Sequence, residues 1–135
     1  MNYIGVVAAV VTFLSVWFGH AAVRKIEFIS PTIWIPSVIF AALGLIAEFL
    51  SLSTTKRSLA TALGILGITL LFDALEFRRQ QHRVKKGHAP ANPNNPRHAR
   101  ILTEYTSATT DALLKREPLG HSVSSDEATA LTPNS

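Results

Sequence analysis

The apolar residues are concentrated in the first 77 positions, where they form three runs separated by short polar segments. A bilayer core about 30 Å thick requires roughly 20 apolar helical residues to cross it. The runs 3–23, 33–52 and 58–77 each approach that length, contain no Lys or Arg, and carry at most two acidic residues near their ends. The pattern therefore predicts three transmembrane spans.

The spans are expected to be helical, because every backbone donor and acceptor inside hydrocarbon must be satisfied within the segment. Closed barrels require alternation of apolar and polar residues, which the three runs lack. The third helix is expected to continue to about Lys86, with Gly87 as its cap. The fold class is thus an all-α membrane protein, with residues 1–86 as a three-helix transmembrane domain and neighbouring spans antiparallel.

Residues 87–135 are expected to form an extended, largely disordered cytoplasmic tail, rich first in Pro and Asn and then in Ser and Thr. Three prolines, of which Pro96 is the last, keep the segment 88–98 open and prevent the helix from resuming. This segment is either an interaction element or a plain linker. Residues 101–135 contain eleven Ser or Thr and support at most a weak helix over 102–116.

The Lys and Arg residues are distributed unequally between the two sides of the membrane. The chain from Arg78 onward carries nine of them, the first and second loops carry two each, and the N-terminus carries none. With three spans the first loop and the tail share a side, which gives a bias of eleven against two. The tail is therefore expected in the cytoplasm, with the N-terminus outside, in a multi-pass membrane protein.

Small residues recur at helical spacing along the three spans. Such residues let helix backbones approach closely, which drives helix association in lipid. Two interpretations stay open: packing within one three-helix unit, or a docking face for another subunit. The glycines assigned to helix packing are Gly5, Gly19, Gly44, Gly64 and Gly67.

Basic side chains surround the predicted end of the third helix. Each charge near anionic headgroups contributes about 1 kcal/mol of attraction, so contact with lipid or with a partner is expected there. No aromatic residue lies between Phe77 and Tyr105 to stack on bases, and we therefore do not expect nucleic-acid binding. The basic contact residues are Arg78, Arg79, Arg83, Lys85 and Lys86.

Four ionisable residues lie within or at the end of a span, where such groups are costly and face protein or water. His20, Asp73 and Glu76 are expected at the cytoplasmic ends of the first and third spans, where they can meet. They are either boundary ion pairs or members of a proton or ion relay. Glu48, near the outer end of the second span, is expected to reach outward toward the basic second loop.

The composition argues against several kinds of chemistry. The chain contains no Cys, which removes disulfides, thiolate metal sites, iron–sulfur ligation and thiol nucleophiles. His20 with two carboxylates offers too few ligands for a metal site. No nucleophile–base pair or phosphate loop is readable, so we expect neither an enzyme nor a cofactor.

The order of several short segments is similar to that of a known family. Residues 1–97 resemble small bacterial three-helix inner-membrane proteins described only as a domain of unknown function, although His20-Ala21 replaces a His-Pro and His88 replaces an aromatic residue. The resemblance implies three spans and a bacterial inner membrane, and it supplies no activity. The matching segments are 1–5, 18–20, 23–28, 62–67, 76–77, 83–87 and 90–93.

Two functions are compatible with these features. The first is a non-catalytic accessory or interaction protein that docks to a larger membrane complex, to a second copy of itself, or to lipid through small-residue helix faces and a basic tail. The alternative is a small oligomeric transporter or ion- or proton-conducting protein that uses His20, Asp73 and Glu76.

Overall fold

The computed structural model describes residues 3–112, which form four helices. Three of these helices are long and apolar enough to cross a membrane, as the hydropathy pattern predicted. The described part of the chain is all-helical outside its turns and loops. The helices are α1 (Ile4–Ile29), α2 (Trp34–Ser53), α3 (Arg57–Lys85) and α4 (Pro96–Glu104).

Helix α3 lies between α1 and α2, which make little direct contact with each other. The face of α3 that includes Gly67 packs on α2, and the face that includes Thr69 and Asp73 packs on α1. Residues 67 and 69 are separated by about 200° around a helix, so the two partners occupy opposite sides of α3. The three long helices therefore form a layer in which α3 is central and both broad faces are open.

The two helix pairs differ in direction. Ser51 of α2 donates to the Ala60 carbonyl over 2.8 Å while Gly44 lies against Gly67, so α2 and α3 are antiparallel, as expected. Ser15 lies 3.3 Å from Thr69 by their hydroxyl oxygens, and Gly19 lies against Asp73 four residues later in each helix. Helices α1 and α3 are therefore parallel, and the short connection 30–33 leads from one side of α3 to the other.

The long helices extend beyond the apolar runs at the end where α1 and α3 finish. Helix α1 continues six residues past position 23, because Glu27 is buried there by the C-terminal segment. Helix α3 ends at Lys85, followed by Gly87 with a φ of 71°. The His88 amide donates to the Arg83 carbonyl and the Gly87 amide to the Val84 carbonyl, which is a Schellman arrangement.

The prediction of an extended tail is wrong for residues 87–112, which we call the cap. The cap folds back on the ends of α1 and α3 and contains α4. Pro96, expected to prevent a helix, begins one, because a proline in the first turn lacks only an N–H that would have no helical partner. Of the weak helix predicted over 102–116, residues 102–104 belong to α4 and residues 105–112 are not helical. The rest of that segment, with much of the predicted Ser/Thr-rich disorder, falls on residues 113–135, outside the described residues.

A small apolar cluster holds the cap against α3. Its buried members are Val84 of α3 with Ala89, Ala91 and Ile101 of the cap. The Ala91 amide also donates to the Thr109 carbonyl over 2.8 Å, which ties the two ends of the cap together. The cluster is small, so polar contacts must contribute much of the docking.

Candidate functional site

The most buried acidic side chain among the described residues is that of Glu27, near the end of α1. Its side chain is 1% exposed and meets two basic side chains of the cap, Arg97 and His98. We call Glu27, Asn92, Asn95, Arg97 and His98 the clasp. A carboxylate removed from water is costly unless it is paired and hydrogen-bonded, and the clasp provides both.

Arg97 joins the Glu27 carboxylate to the end of the α1 backbone. Its Nη1 donates to Glu27 Oε1 over 2.8 Å, and its Nη2 donates to the Glu27 carbonyl over 2.6 Å. The same guanidinium also reaches the Ser30 carbonyl, at 3.3 Å from Nη2 and 3.4 Å from Nε. The last carbonyls of a helix have no partners within the helix and carry partial negative charge, so a cation is well placed there.

His98 connects Glu27 to the loop that precedes α4. The Asn92 amide donates to His98 Nδ1 over 2.9 Å, so that nitrogen is the acceptor. The proton therefore belongs on Nε2, which lies 2.9 Å from Glu27 Oε1 and donates to it. With a side chain that is fully buried, His98 acts as a rigid spacer between the α1 carboxylate and the cap backbone.

The two asparagines complete the contact with α1. Asn95 Nδ2 donates to the carbonyls of Phe28 and Ser30 over 3.1 and 2.9 Å, and Asn92 Nδ2 reaches the Phe28 carbonyl over 3.2 Å. Asn95 Oδ1 accepts from the Arg97 amide over 3.0 Å, which is the N-terminal capping bond of α4. Asn95 therefore caps the start of α4 and donates hydrogen bonds to carbonyls at the end of α1.

The predicted intramembrane cluster is only partly assembled. Asp73 is 5% exposed. Its Oδ2 atom is buried without a hydrogen-bond partner within residues 3–112. The carboxylate occupies the space left by the missing side chain of Gly19, where an added Cβ would lie 2.9 Å from the Asp73 Cγ atom.

Glu76 forms ion pairs with the basic residues that follow it in α3. Its Oε1 lies 2.8 Å from Arg83 Nη2, and its Oε2 lies 3.4 Å from Arg79 Nη1. His20, which is exposed, lines a cavity of about 250 Å³ together with Glu76 and Arg83. No hydrogen bond joins His20, Asp73 and Glu76 to one another in the described part of the chain.

The predicted orientation of Glu48 is wrong. Its carboxylate packs against α3, where a Cβ added to Gly67 would lie 2.7 Å from Oε1 and one added to Gly64 would lie 4.0 Å from Oε2. Within residues 3–112 Glu48 forms no ion pair with Lys56 or Arg57. The glycines open a slot on α3 that admits the side chain, so it turns inward instead of toward the loop.

The glycines assigned to helix packing have different surroundings. Gly44 lies against Gly67, where an added Cβ would be 2.9 Å from the Gly67 carbonyl oxygen, so α2 and α3 approach closely at this point. Gly19 and Gly64 make room for side chains of the neighbouring helix. Gly5 has no atom within 4 Å of an added Cβ and faces away from the other helices.

Some of the predicted basic contact residues make contacts within the protein, and others lie exposed on the surface. Arg79 and Arg83 are paired with Glu76, and Lys85 places its Nζ 4.9 Å from the centre of the Tyr105 ring. Arg78 and Lys86 are exposed. Residues 3–112 contain no group of three His, Asp or Glu side chains arranged to hold a metal ion.

Sequence reasoning missed the clasp entirely. Asn95 followed by Pro96 is a helix-start signal, since Asn is a preferred N-cap and Pro is favoured in the first turn. Glu27 follows Gly19 and Val23 at intervals of four residues, so it continues the buried face of α1 beyond the apolar run. Together these two signals would have indicated that a helix begins at Pro96 and that the buried face of α1 continues to Glu27.

Residues 2–95 match the family model described as "Domain of unknown function (DUF4491)", and the chain belongs to this family. The matched segment covers all three long helices and ends at the N-cap of α4, just before Arg97 and His98. No curated protein and no solved structure matches the chain.

Proposed function

We propose that this member of the DUF4491 family is a non-catalytic accessory or interaction protein of the bacterial inner membrane, which docks to a larger membrane complex or a second copy of itself and to lipid. The observation that carries the proposal is the open layer of helices, in which α3 is flanked by α1 and α2 and its two remaining faces are uncovered. A layer of this kind encloses no pathway of its own. It offers broad apolar surfaces to a partner in the bilayer.

The way in which the ionisable groups are used supports the same proposal. Glu27 is bonded by Arg97 and His98, and Glu76 is paired with Arg79 and Arg83. These groups stabilise the end of the helical layer and hold the cap on it. Their arrangement is that of a rigid scaffold rather than of groups poised around a substrate.

The groove between the parallel helices α1 and α3 is the best candidate for the docking face. It has a volume of about 420 Å³ and is lined by apolar and small side chains, including Leu14, Ser15, Ala62 and Leu66. A concave apolar surface with small residues suits a transmembrane helix, because association in lipid depends on close packing. The occupant we propose is a transmembrane helix of a partner subunit or of a second copy.

Cross-linking in native membranes tests the docking face. A photoreactive residue at Leu66 lies in the groove, and the same residue at Ile68, two positions further around α3, is the matched control outside the groove lining. We expect a discrete protein adduct from position 66, of twice the chain's mass if the partner is a second copy. Lipid adducts alone from position 66 would contradict docking at this groove.

The second candidate function is an oligomeric proton- or ion-conducting protein. One observation favours it: the Asp73 carboxylate is buried at membrane depth and its Oδ2 has no hydrogen-bond partner within the described residues. Ionisable groups at such depth often mark ion pathways. Conduction requires several copies, because one layer of three helices encloses no channel.

A further inference from the structure

Two cavities lie next to each other on one side of α3, close to the end where α1 finishes. The first, of about 480 Å³, is lined by polar and basic side chains of the first loop, α3 and α4. The second, of about 380 Å³, is lined mainly by apolar side chains of α2 and α3. Of the clasp, only Arg97 lines the first cavity, and neither cavity shares a residue with the docking groove between α1 and α3.

The polar cavity carries an excess of positive charge. Lys85, Arg97 and Arg100 line it, together with one acid, Glu104. Arg97 is engaged by the clasp, whereas Arg100 is exposed and its side chain forms no hydrogen bond within residues 3–112. Thr32, which also lines the cavity, has a buried hydroxyl without a hydrogen-bond partner in the same part of the chain. Lys85 and Arg100 thus give the cavity donors for an anion.

The apolar cavity continues from the polar one along the same walls. Thr32 lines the polar cavity and Trp34, two residues later, lines the apolar one. On α3 the apolar wall begins at Ala74 and passes Arg78, and the polar wall follows to Lys85. Eleven residues of helix span about 16 Å, which is the scale of a headgroup with the upper part of its acyl chains.

We propose that these two cavities together form a binding site for one anionic phospholipid. Its phosphate is held by Lys85 and Arg100, and an acyl chain lies in the apolar cavity beside Trp34. Basic pockets at the cytoplasmic ends of transmembrane helices bind anionic headgroups in this way. This inference rests on the membrane location in the proposed function. It assigns the lipid contact to a defined pocket instead of to all the basic side chains around the end of α3.

Quenching of Trp34 fluorescence by brominated lipids tests the site. The chain has two tryptophans, so W17F leaves Trp34, which lines the apolar cavity, as the single fluorescent reporter. The full chain is reconstituted in vesicles that contain brominated phosphatidylglycerol or brominated phosphatidylcholine. We expect about a thirtyfold preference for the anionic lipid at Trp34, as two favourable charge interactions at the surface provide, and the K85Q/R100Q variant should reduce it to about one.

The matched control is R24Q/K25Q, which removes the same charge from α1 residues that line a different cavity. It should keep the preference. An equal loss in both variants would overturn the pocket and leave the general lipid contact of the proposed function standing. Absence of any preference in W17F would overturn both the pocket and that lipid contact. Relief of quenching by soluble glycerol phosphate would overturn the lipid assignment in favour of a free phosphate site.

Discussion

Replacing Glu27 by Gln should release the cap from the helix ends. The change keeps the shape of the side chain and removes its charge, so Arg97 loses its carboxylate partner while the His98 contact to an oxygen atom can persist. The Glu27 and Arg97 side chains are 1% and 12% exposed, and solvent therefore screens their interaction little. Loss of one partner from a buried pair leaves the other charge uncompensated.

The free-energy cost of Glu27→Gln for docking of the cap follows from the contacts that Arg97 keeps. Breaking a buried ion pair by removing one partner costs about 3–5 kcal/mol. Arg97 keeps its bonds to the Glu27 and Ser30 carbonyls, so the lower end, about 3 kcal/mol, applies here. Because about 1.4 kcal/mol corresponds to a factor of ten, the population of undocked cap should rise about a hundredfold.

Thiol labelling of Ala91→Cys measures this population. The chain has no other cysteine, and Ala91 is 2% exposed in the apolar cluster between the cap and α3. Maleimide should therefore react slowly in the Ala91→Cys background and about a hundredfold faster when Glu27→Gln is added, up to the rate of an exposed site. Adding Arg97→Gln to Glu27→Gln should cost less than the sum of the single changes, since both remove the same pair.

Glu104→Gln is the matched control, because Glu104 is an exposed acid on α4 that lies outside the clasp. It should leave the labelling rate of Ala91→Cys unchanged. Equal labelling rates in the Glu27→Gln and Glu104→Gln backgrounds would refute the assignment of cap docking to the clasp.

Two further predictions concern helix packing and orientation. Gly19→Ala should lower the free energy of unfolding in detergent by about 1–3 kcal/mol, because its Cβ meets the Asp73 carboxylate, whereas Gly5→Ala, with open space around it, should not lower it. An impermeant thiol reagent should label Tyr3→Cys from outside the cell and Asn94→Cys only after the membrane is opened, because of the Lys/Arg bias of eleven against two. Labelling of Asn94→Cys in intact cells would reverse the proposed orientation.

The three long helices were predictable because the bilayer imposes a strict length and hydropathy on any span. The arrangement in which α3 lies between α1 and α2 was not predictable. Small residues on α3 occur both at Gly67 and near Thr69, and hydropathy does not distinguish which face meets α1 and which meets α2. The inward orientation of Glu48 depends on that choice, since its slot exists only where Gly64 and Gly67 face α2.

The cap was missed because its contacts are distant in sequence. Arg97 and Glu27 are 70 positions apart, and neither lies in a local pattern that indicates the other. The composition of residues 88–98, rich in Pro and Asn, is typical of open segments when read alone. The same Asn side chains satisfy the carbonyls at the end of α1, and that role becomes visible only when the two helix ends are placed together.

Proton and ion flux through reconstituted vesicles tests the accessory function most directly. The comparison uses the unmodified chain and the double variant Asp73→Asn/Glu76→Gln, which keeps hydrogen-bonding groups of similar size but cannot exchange protons. Assembly is followed in parallel by the Leu66 cross-link. We expect the same cross-linked product and no flux above protein-free vesicles in either case. Flux in the unmodified chain that disappears in a fully assembled double variant would contradict the accessory function and establish the conducting one.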